Sequence, residues 1–248
     1  MKHFKITIQY DGTRYKGWQV QKNTKDTIQG KIEDVLFKMA NAIVEVRGAG
    51  RTDAGVHAYE QVADFFLEDT FEKEDVLEYL NQYLPEDIYV TSINETEERF
   101  HSRLSAKQKM YRYRICKGKK ADVFQRKYVE CMDHNLDVAS MRQAALYAVG
   151  THDFMAFCGN RKMKKSTIRT IASINIEETG SEIRIDITGD GFLQNMVRIL
   201  VGTLVEIGLG KRKSEEMSFI LESKNRDNAG YTISSKGLAM VKVFYDEK

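Results

Sequence analysis

The order of the secondary-structure patterns is the feature that most constrains this chain. Segments in which every second residue is apolar alternate with segments in which apolar residues recur every three or four positions. Residues 1–105 give the order strand, helix, strand, strand, helix, strand, and residues 106–248 give it again. This repeat predicts an α+β protein made of two ferredoxin-like βαββαβ halves. Because no linker rich in glycine, serine or proline separates them, we expect both halves to pack into one body with a central cleft.

The first half contains six predicted elements. Its strands are expected at Phe4–Tyr10, Ile43–Arg47, Gln61–Leu67 and Ile88–Ile93. The first helix is expected to start at a possible Asp26 cap, with Gln29 three residues later, and to continue through Met39. The second helix is predicted from Val76 to Leu84, where Pro85 helps to end it.

The second half is predicted to repeat this order without detectable sequence identity to the first. Its strands are expected at Lys109–Cys116, Ile168–Ile176, Ile183–Thr188 and Leu238–Tyr245. One helix is expected to be capped by Asp137 and to run to Val149. A strongly apolar helix is predicted at Phe192–Ile207, and a shorter helix around Glu215–Leu221.

Length and composition exclude several classes of protein. A chain of 248 residues with 42% apolar residues can bury a sizeable core, and 30% charged residues is typical of a folded, soluble protein. No segment approaches the eighteen apolar residues of a transmembrane helix, so no membrane partner is expected. Residues 1–5 lack the apolar core of a signal peptide, which favours the cytosol.

The cysteines and histidines do not predict a metal centre. Cys116, Cys131 and Cys158 are odd in number and widely spaced, which favours neither a disulfide framework nor a zinc site. The histidines at positions 57, 101 and 152 also lack the spacing of zinc ligands. We therefore expect no metal ion.

Charge is distributed unevenly along the chain. Residues 1–105 hold 13 Lys/Arg and 19 Asp/Glu, a net charge of −6, whereas residues 106–248 hold 25 and 17, a net charge of +8. The basic residues of the second half form three clusters. These are Lys107, Lys109, Arg112, Arg114, Lys117, Lys119 and Lys120; Arg161, Lys162, Lys164, Lys165 and Arg169; and Lys211, Arg212 and Lys213. Such clusters suit an RNA backbone, but they also fit ordinary solvated faces.

The glycine-rich loop at residues 48–58 is the densest candidate for chemistry. Three glycines within eight residues permit a tight turn and a close approach of the backbone. Asp53 lies between two small residues, with Arg51 and His57 nearby, so a carboxylate could face a flat ligand. Alternatives are a plain Asx-turn, a phosphate loop, although the P-loop motif is absent, and an aspartic-protease loop, although no second such loop exists.

The sequence of this loop resembles the signature of the tRNA pseudouridine synthase A family. The matching segment is Gly50-Arg51-Thr52-Asp53-Ala54-Gly55-Val56-His57-Ala58. Further similar motifs lie in order along nearly the whole chain. They are Tyr10-Asp11-Gly12-Thr13, Gly17-Trp18-Gln19-x-Gln21, Thr27-x-Gln29-Gly30, Phe100-His101-Ser102-Arg103, Lys109-x-Tyr111-Arg112-Tyr113, Gly150-Thr151-His152-Asp153-Phe154, Gly191-Phe192-x-x-Asn195-Met196-Val197-Arg198 and Val201-Gly202-Thr203-Leu204.

The resemblance implies a role for several of these residues. Asp53 matches the catalytic aspartate, Tyr111 the tyrosine that stacks on the target base, and Arg198 the arginine that pairs with the aspartate. Arg51 resembles a base-flipping wedge. Arg51 and Tyr111 are thus expected to contact the substrate. Further substrate contacts are expected from His57, His101 and Arg103, which lie in the matched motifs.

The implied reaction is isomerisation of uridine to pseudouridine in the anticodon stem-loop of tRNA, at positions 38–40. The enzyme would be a homodimer, with tRNA and not DNA as its partner. The uracil base leaves ribose through N1 and rejoins through C5, so no redox step and no cofactor is needed. Asp53 would attack the nucleoside or remove a sugar proton, and the sequence leaves both mechanisms open.

One segment departs from the family pattern. The family usually has Ala-Gly-Pro-Thr-Ala-Pro before its last strand, whereas residues 229–235 read Ala-Gly-Tyr-Thr-Ile-Ser-Ser. The rigidity of this segment and the RNA target are therefore open. Alternative functions are a non-catalytic RNA-binding protein, a family member with another RNA target, and a small-molecule hydrolase that uses Asp53.

Overall fold

A computed structural model of the protein describes residues 1–246. The chain divides into two compact units. Unit 1 contains Met1–Lys107 and the chain from Ala239 onward, and unit 2 contains Gln108–Leu238. The division near residue 107 lies close to the boundary predicted between residues 105 and 106. The last strand, however, groups with unit 1 and not with the second half, because it pairs with a strand of unit 1.

Unit 1 is an antiparallel sheet with two helices. Its elements are β1 (Lys2–Tyr10), α1 (Ile28–Ala40), β2 (Arg47–Gly48), β3 (His57–Leu67), α2 (Lys73–Tyr83), β4 (Ile88–Glu95) and β10 (Leu238–Phe244). The central strand β1 lies between β4 and β3, and β2 pairs with the far side of β3. Near the start of β3, β10 pairs with it in parallel. The α+β class and the βαββαβ order of the first half are confirmed.

The ends of the unit 1 elements differ in part from the prediction. Thr27, and not Asp26, caps α1, since its side chain accepts a hydrogen bond from the Gly30 N–H. The strand predicted from Ile43 consists of two residues only, and Ile43 itself is 93% exposed. In contrast, β3 starts at His57, earlier than predicted, because its first residues pair with β10. The candidate loop therefore ends at residue 56.

Unit 2 has five strands, which pair mostly antiparallel, and three helices. Its elements are β5 (Gln108–Lys117), β6 (Glu130–Met132), α3 (Val138–Ala148), β7 (Gly150–Asp153), β8 (Ile168–Thr179), β9 (Glu182–Gly189), α4 (Met196–Gly208) and α5 (Glu216–Ser223). The strands follow the order β5-β9-β8-β7, and β6 pairs in parallel with β5. The sequence did not predict β6 and β7, which are too short to show a period.

The helices of unit 2 begin close to their predicted positions, with one difference. As predicted, Asp137 caps α3 and accepts a hydrogen bond from the Ser140 N–H at 3.0 Å. The apolar helix α4, in contrast, begins at Met196 and not at Phe192. Asn195, which precedes it, has a left-handed backbone with φ 58°. This turn keeps Phe192 out of the helix, where it is free to contact β5.

Candidate active site

Asp53 is the first residue of a tight turn between β2 and β3. Its side chain is half-buried. The Val56 N–H donates to the Asp53 carbonyl at 3.1 Å, and Gly55 adopts a positive φ of 77°. A turn of this kind fixes the backbone that follows the carboxylate.

The segment that follows β1 fastens this turn. The Trp18 N–H donates to the Thr52 carbonyl at 3.1 Å, and the Gly55 N–H donates to the Tyr15 carbonyl at 3.2 Å. The Tyr10 hydroxyl and the Thr52 Oγ1 form a hydrogen bond of 2.8 Å inside the protein. The motifs around residues 10–18 thus contact the residues on both sides of Asp53.

Two glycines of this segment allow main chain to touch main chain. A Cβ on Gly12 would lie 2.0 Å from the Val56 carbonyl oxygen. Gly17 has φ +99°, and a Cβ there would lie 2.6 Å from the Thr52 carbonyl oxygen. Real Cβ atoms do not approach other atoms this closely, so both positions exclude every residue with a side chain.

The histidine predicted beside Asp53 is buried against the segment after β1. His57 is 6% exposed. Its Nδ1 accepts a hydrogen bond from the Gly12 N–H at 3.1 Å and lies 3.2 Å from an oxygen of Asp11. This ring atom therefore fixes the turn, whereas the side chain of Arg51 is exposed and can reach a ligand.

The second predicted pair in unit 1 forms a turn of its own. The His101 Nδ1 accepts a hydrogen bond from the Arg103 N–H at 3.2 Å, and the Ser105 N–H donates to the His101 carbonyl at 2.9 Å. The Arg103 side chain is exposed. Of this pair, it is the arginine that is presented to solvent.

In unit 2, Tyr111 occupies the middle of β5. It pairs with Ile187 of β9 and is 6% exposed. The Phe192 ring meets the Tyr111 ring edge to face, with centroids 5.1 Å apart and an interplanar angle of 80°. Sequence reasoning assigned Phe192 to the helix core and missed this contact. The aromatic residue within the Gly191–Arg198 motif was the available signal.

Arg198 is the third residue of α4 and is half-exposed. Its Nε donates to the Ile233 carbonyl at 2.7 Å, and its Nη1 donates to the Asn195 Oδ1 at 3.0 Å. Within the described part of unit 2, no carboxylate forms an ion pair with it. A cation near a helix N-terminus is electrostatically unfavourable, so helix stability does not explain this arginine. Its predicted pairing with Asp53 stays a prediction.

Comparison with known proteins decides the family. The model of the family described as tRNA pseudouridine synthase matches residues 6–104 and 144–246. The chain belongs to the tRNA pseudouridine synthase family. The resemblance inferred from the loop around Asp53 is thereby confirmed, and with it the class of enzyme, an isomerase.

Curated members of this family match over almost their whole length. The "tRNA pseudouridine synthase A" of Bacillus sp. (strain KSM-64) is 49% identical over 231 residues, which cover 93% of this chain and 95% of that protein. The "tRNA pseudouridine synthase A 2" of Bacillus cereus (strain ZK / E33L) is 44% identical, covering 98% and 99%. A "tRNA pseudouridine synthase A" of Acetivibrio thermocellus is 42% identical, covering 99% and 100%.

The basic clusters differ in whether acidic side chains already pair with them, and this decides which of them are available to RNA. On β5, Arg112 forms a two-point ion pair with Asp186, with both contacts at 2.7 Å. Arg114 forms a similar pair with Glu182 at 2.9 and 2.7 Å. The hydrogen bond from Arg114 holds the pKa of Glu182 down at about 2, although burial opposes this shift. These arginines hold β5 to β9, and their charge is balanced.

The cluster between β7 and β8 differs. Lys162, Lys164 and Lys165 are exposed, and none of them forms an ion pair within residues 1–246. The neighbouring Arg161 does pair with Asp227, at 2.5 Å. The three lysines therefore present unbalanced positive charge, as a surface that binds phosphate would.

The described residues contain neither a candidate metal site nor a candidate membrane-spanning helix. Across residues 1–246, no three side chains from His, Cys, Asp and Glu are grouped so that they could hold a metal ion. None of the described helices has the length and apolar character needed to cross a membrane.

Proposed function

We propose that this protein isomerises uridine to pseudouridine at positions 38–40 in the anticodon stem-loop of tRNA, with Asp53 as the catalytic carboxylate. The observation that carries the proposal is the Asp53 turn, a half-buried carboxylate whose neighbours on both sides are fastened to the segment after β1. A turn that only reversed the chain would not need glycines in van der Waals contact with its carbonyls. Fixed geometry is what a reacting group requires.

The reaction breaks the bond between uracil N1 and ribose C1′ and forms a bond between C5 and C1′. The proton on C5 is lost and N1 gains one, so atoms and electrons balance without an oxidant or reductant. Asp53 must be ionised to attack the nucleoside or to remove a sugar proton. Because the target base lies in a stem-loop, it must leave its stack to meet this carboxylate.

Tyr111 and Arg198 are proposed to act on the same base. The Tyr111 ring would stack on the uracil, and its edge-to-face contact with Phe192 would fix the plane of the ring. In Arg198, Nε and Nη1 are engaged within unit 2, which leaves the Nη2 donors for a carboxylate or a phosphate. Arg198 would thereby favour the ionised form of Asp53.

The proposal extends to partners. Lys162, Lys164 and Lys165 would contact the tRNA backbone, and the exposed Arg51 and Arg103 would contact the RNA near the target. We propose a homodimer that acts in the cytoplasm, where tRNA is modified.

The test compares Asp53→Asn with the wild-type protein. Both act on tRNA that carries no modifications, and pseudouridine is then mapped by position. Asp53→Asn is expected to abolish turnover and to leave tRNA affinity intact, since removal of a negative charge does not weaken attraction to phosphate. Asp34→Asn is the matched control, because Asp34 is an exposed carboxylate on α1. Multiple turnover by Asp53→Asn would contradict the assignment of the catalytic residue.

The same mapping separates the remaining alternatives. If the protein only bound RNA, neither the wild-type protein nor Asp34→Asn would form pseudouridine. A member with another target would modify a uridine outside positions 38–40. The mapping therefore also tests whether the unusual residues at 231 and 234 change the RNA target.

A further inference from the structure

The segment at residues 229–235 is seated directly on helix α4. A Cβ on Gly202 would lie 2.0 Å from the Tyr231 carbonyl oxygen, so the segment touches the helix backbone at this point. The Gly230 N–H donates to the Thr203 Oγ1 at 2.9 Å, and this hydroxyl in turn donates to the Ile199 carbonyl at 2.8 Å. These contacts fix the distance between the segment and the helix.

Arg198 and Ile233 are joined by a reciprocal contact. The Arg198 Nε donates to the Ile233 carbonyl at 2.7 Å, and the Ile233 N–H donates to the Arg198 carbonyl at 3.3 Å. A guanidinium is planar, so fixing Nε together with the contact of Nη1 to Asn195 fixes the direction of the remaining donors. The position of Ile233 thus sets where the free edge of Arg198 points.

Two side chains hold this segment from outside the helix. Arg226 donates through Nη1 to the Gly230 carbonyl at 2.9 Å and through Nη2 to the Thr232 Oγ1 at 3.1 Å. Tyr113, which is fully buried, donates its hydroxyl to the Ser234 carbonyl at 2.9 Å. These contacts lie on both sides of Ile233 in the sequence.

We propose that Arg226 and Tyr113 are positioning residues for Arg198. They fix the 229–235 segment, and the Ile233 carbonyl of this segment orients the guanidinium. Prolines would restrict such a segment through their fixed φ, whereas here side-chain hydrogen bonds hold it in place. This inference rests on the proposed function, in which Arg198 takes part in the reaction.

The experiment measures kcat and KM on unmodified tRNA for Tyr113→Phe and Arg226→Gln in the full chain. Each variant is expected to lower kcat about tenfold, because small displacements of a reacting group cost this much or more. KM should change less than about twofold, since neither residue is proposed to touch RNA. Tyr113→Phe removes one oxygen atom and keeps the ring, so it tests the idea even if Arg226→Gln unfolds.

Arg142→Gln is the matched control. Arg142 also lies in unit 2 and donates its Nε to a carbonyl, that of Ile176 at 2.9 Å, but it does not contact the 229–235 segment. This variant is expected to lose stability and to keep its kcat. A loss of kcat as large as that of Tyr113→Phe would show that general loosening of unit 2 explains both, and would overturn the proposal.

Each variant is then combined with Arg198→Ala. If Arg226 and Tyr113 act through Arg198, their substitution is expected to cause no further loss in this background. Losses that multiply would overturn the positioning role while leaving the proposed function intact. Full activity of Arg198→Ala alone would instead remove Arg198 from the reaction, and the positioning role with it.

Discussion

Asp53 in unit 1 and Arg198 in unit 2 are held by different kinds of contact. Around Asp53, main-chain atoms press on main-chain atoms, and Gly12 and Gly17 approach the carbonyls of Val56 and Thr52 too closely for any side chain. Around Arg198, long side chains donate to carbonyl oxygens across a segment without regular secondary structure. The Asp53 turn depends on glycines that have no side chain, whereas the Arg198 site depends on long side chains that donate hydrogen bonds.

This difference has a practical consequence for substitutions. The Asp53 turn should be sensitive to added volume at glycine and tolerant of lost side-chain hydrogen bonds. The Arg198 site should show the opposite behaviour. Substitutions at the two sites therefore separate close backbone packing from side-chain hydrogen bonding.

Gly12→Ala is expected to have the largest effect. The new Cβ would overlap the Val56 carbonyl, so the turn must shift, at a cost of about 3 kcal/mol or more in the free energy of unfolding. Turnover should fall by more than about 100-fold because Asp53 moves with the turn. Urea unfolding and single-turnover pseudouridine formation measure the two effects.

Gly180→Ala is the control for this variant. A Cβ on Gly180, in the hairpin between β8 and β9, would have no atom within 4 Å. Stability and turnover should therefore stay close to those of the unmodified enzyme. If Gly12→Ala behaved like Gly180→Ala, the turn would not be held by close backbone packing.

Arg198→Lys is expected to lower kcat about 100-fold with little change in tRNA affinity. Lysine keeps the positive charge, but a single ammonium does not reproduce the donations to Ile233 and Asn195 together with a free edge. The matched control is Arg212→Lys, since Arg212 also donates to two oxygen acceptors, the Glu206 carboxylate at 2.5 Å and the Asn228 carbonyl at 2.9 Å. Near-normal kcat for Arg198→Lys would show that only the charge matters.

The two arrangements also differ in how far the sequence predicts them. Close backbone packing requires glycine, and the glycines around Asp53 stand out in the sequence, so this loop could be predicted as a site. The bonds between Arg226 and residues 230–232, or between Tyr113 and Ser234, join residues whose types show no pattern. Sequence reasoning therefore found Arg198 through a family motif and missed the residues that hold it.

The fold shows the same limit. Long elements with a clear period, such as β1, β5 and α4, were predicted to within a few residues. The short strands β6 and β7 were missed because three or four residues do not establish a period. The grouping of β10 with unit 1 depends on pairing between segments about 180 residues apart in the chain, which local patterns do not report.

Replacing Lys162, Lys164 and Lys165 by Gln tests which charges of unit 2 are available to RNA. The slope of log affinity against log salt concentration is expected to become shallower by about 2 to 3, if each lysine contacts one phosphate. Arg112→Gln should leave the slope unchanged, since Arg112 is already paired with Asp186. Equal changes in slope for both proteins would contradict the division between structural and RNA-binding charges.

Tyr10→Phe is expected to have the smallest effect. It removes the hydrogen bond to Thr52 and keeps the ring, so the free energy of unfolding at pH 8 should fall by about 1 kcal/mol. Turnover should change less than about threefold, because the close backbone contacts of Gly12 and Gly17 remain. A loss of turnover as large as that of Gly12→Ala would mean that side-chain hydrogen bonds also hold the Asp53 turn.

The pH dependence of this variant sharpens the same test. Burial raises the pKa of Tyr10 to about 12, whereas an unfolded tyrosine ionises near 10. The folded protein therefore keeps a proton that the unfolded chain loses, and the stability contributed by Tyr10 is full below pH 10 and is lost as the pH rises toward 12. The loss is about 1.4 kcal/mol per pH unit in this range, and phenylalanine does not share it. The difference in stability between Tyr10→Phe and the unmodified protein should thus vanish near pH 11 in denaturant titrations. A difference that stayed constant from pH 8 to pH 11 would place the Tyr10 hydroxyl in contact with water, and would remove it from the contacts that close the turn.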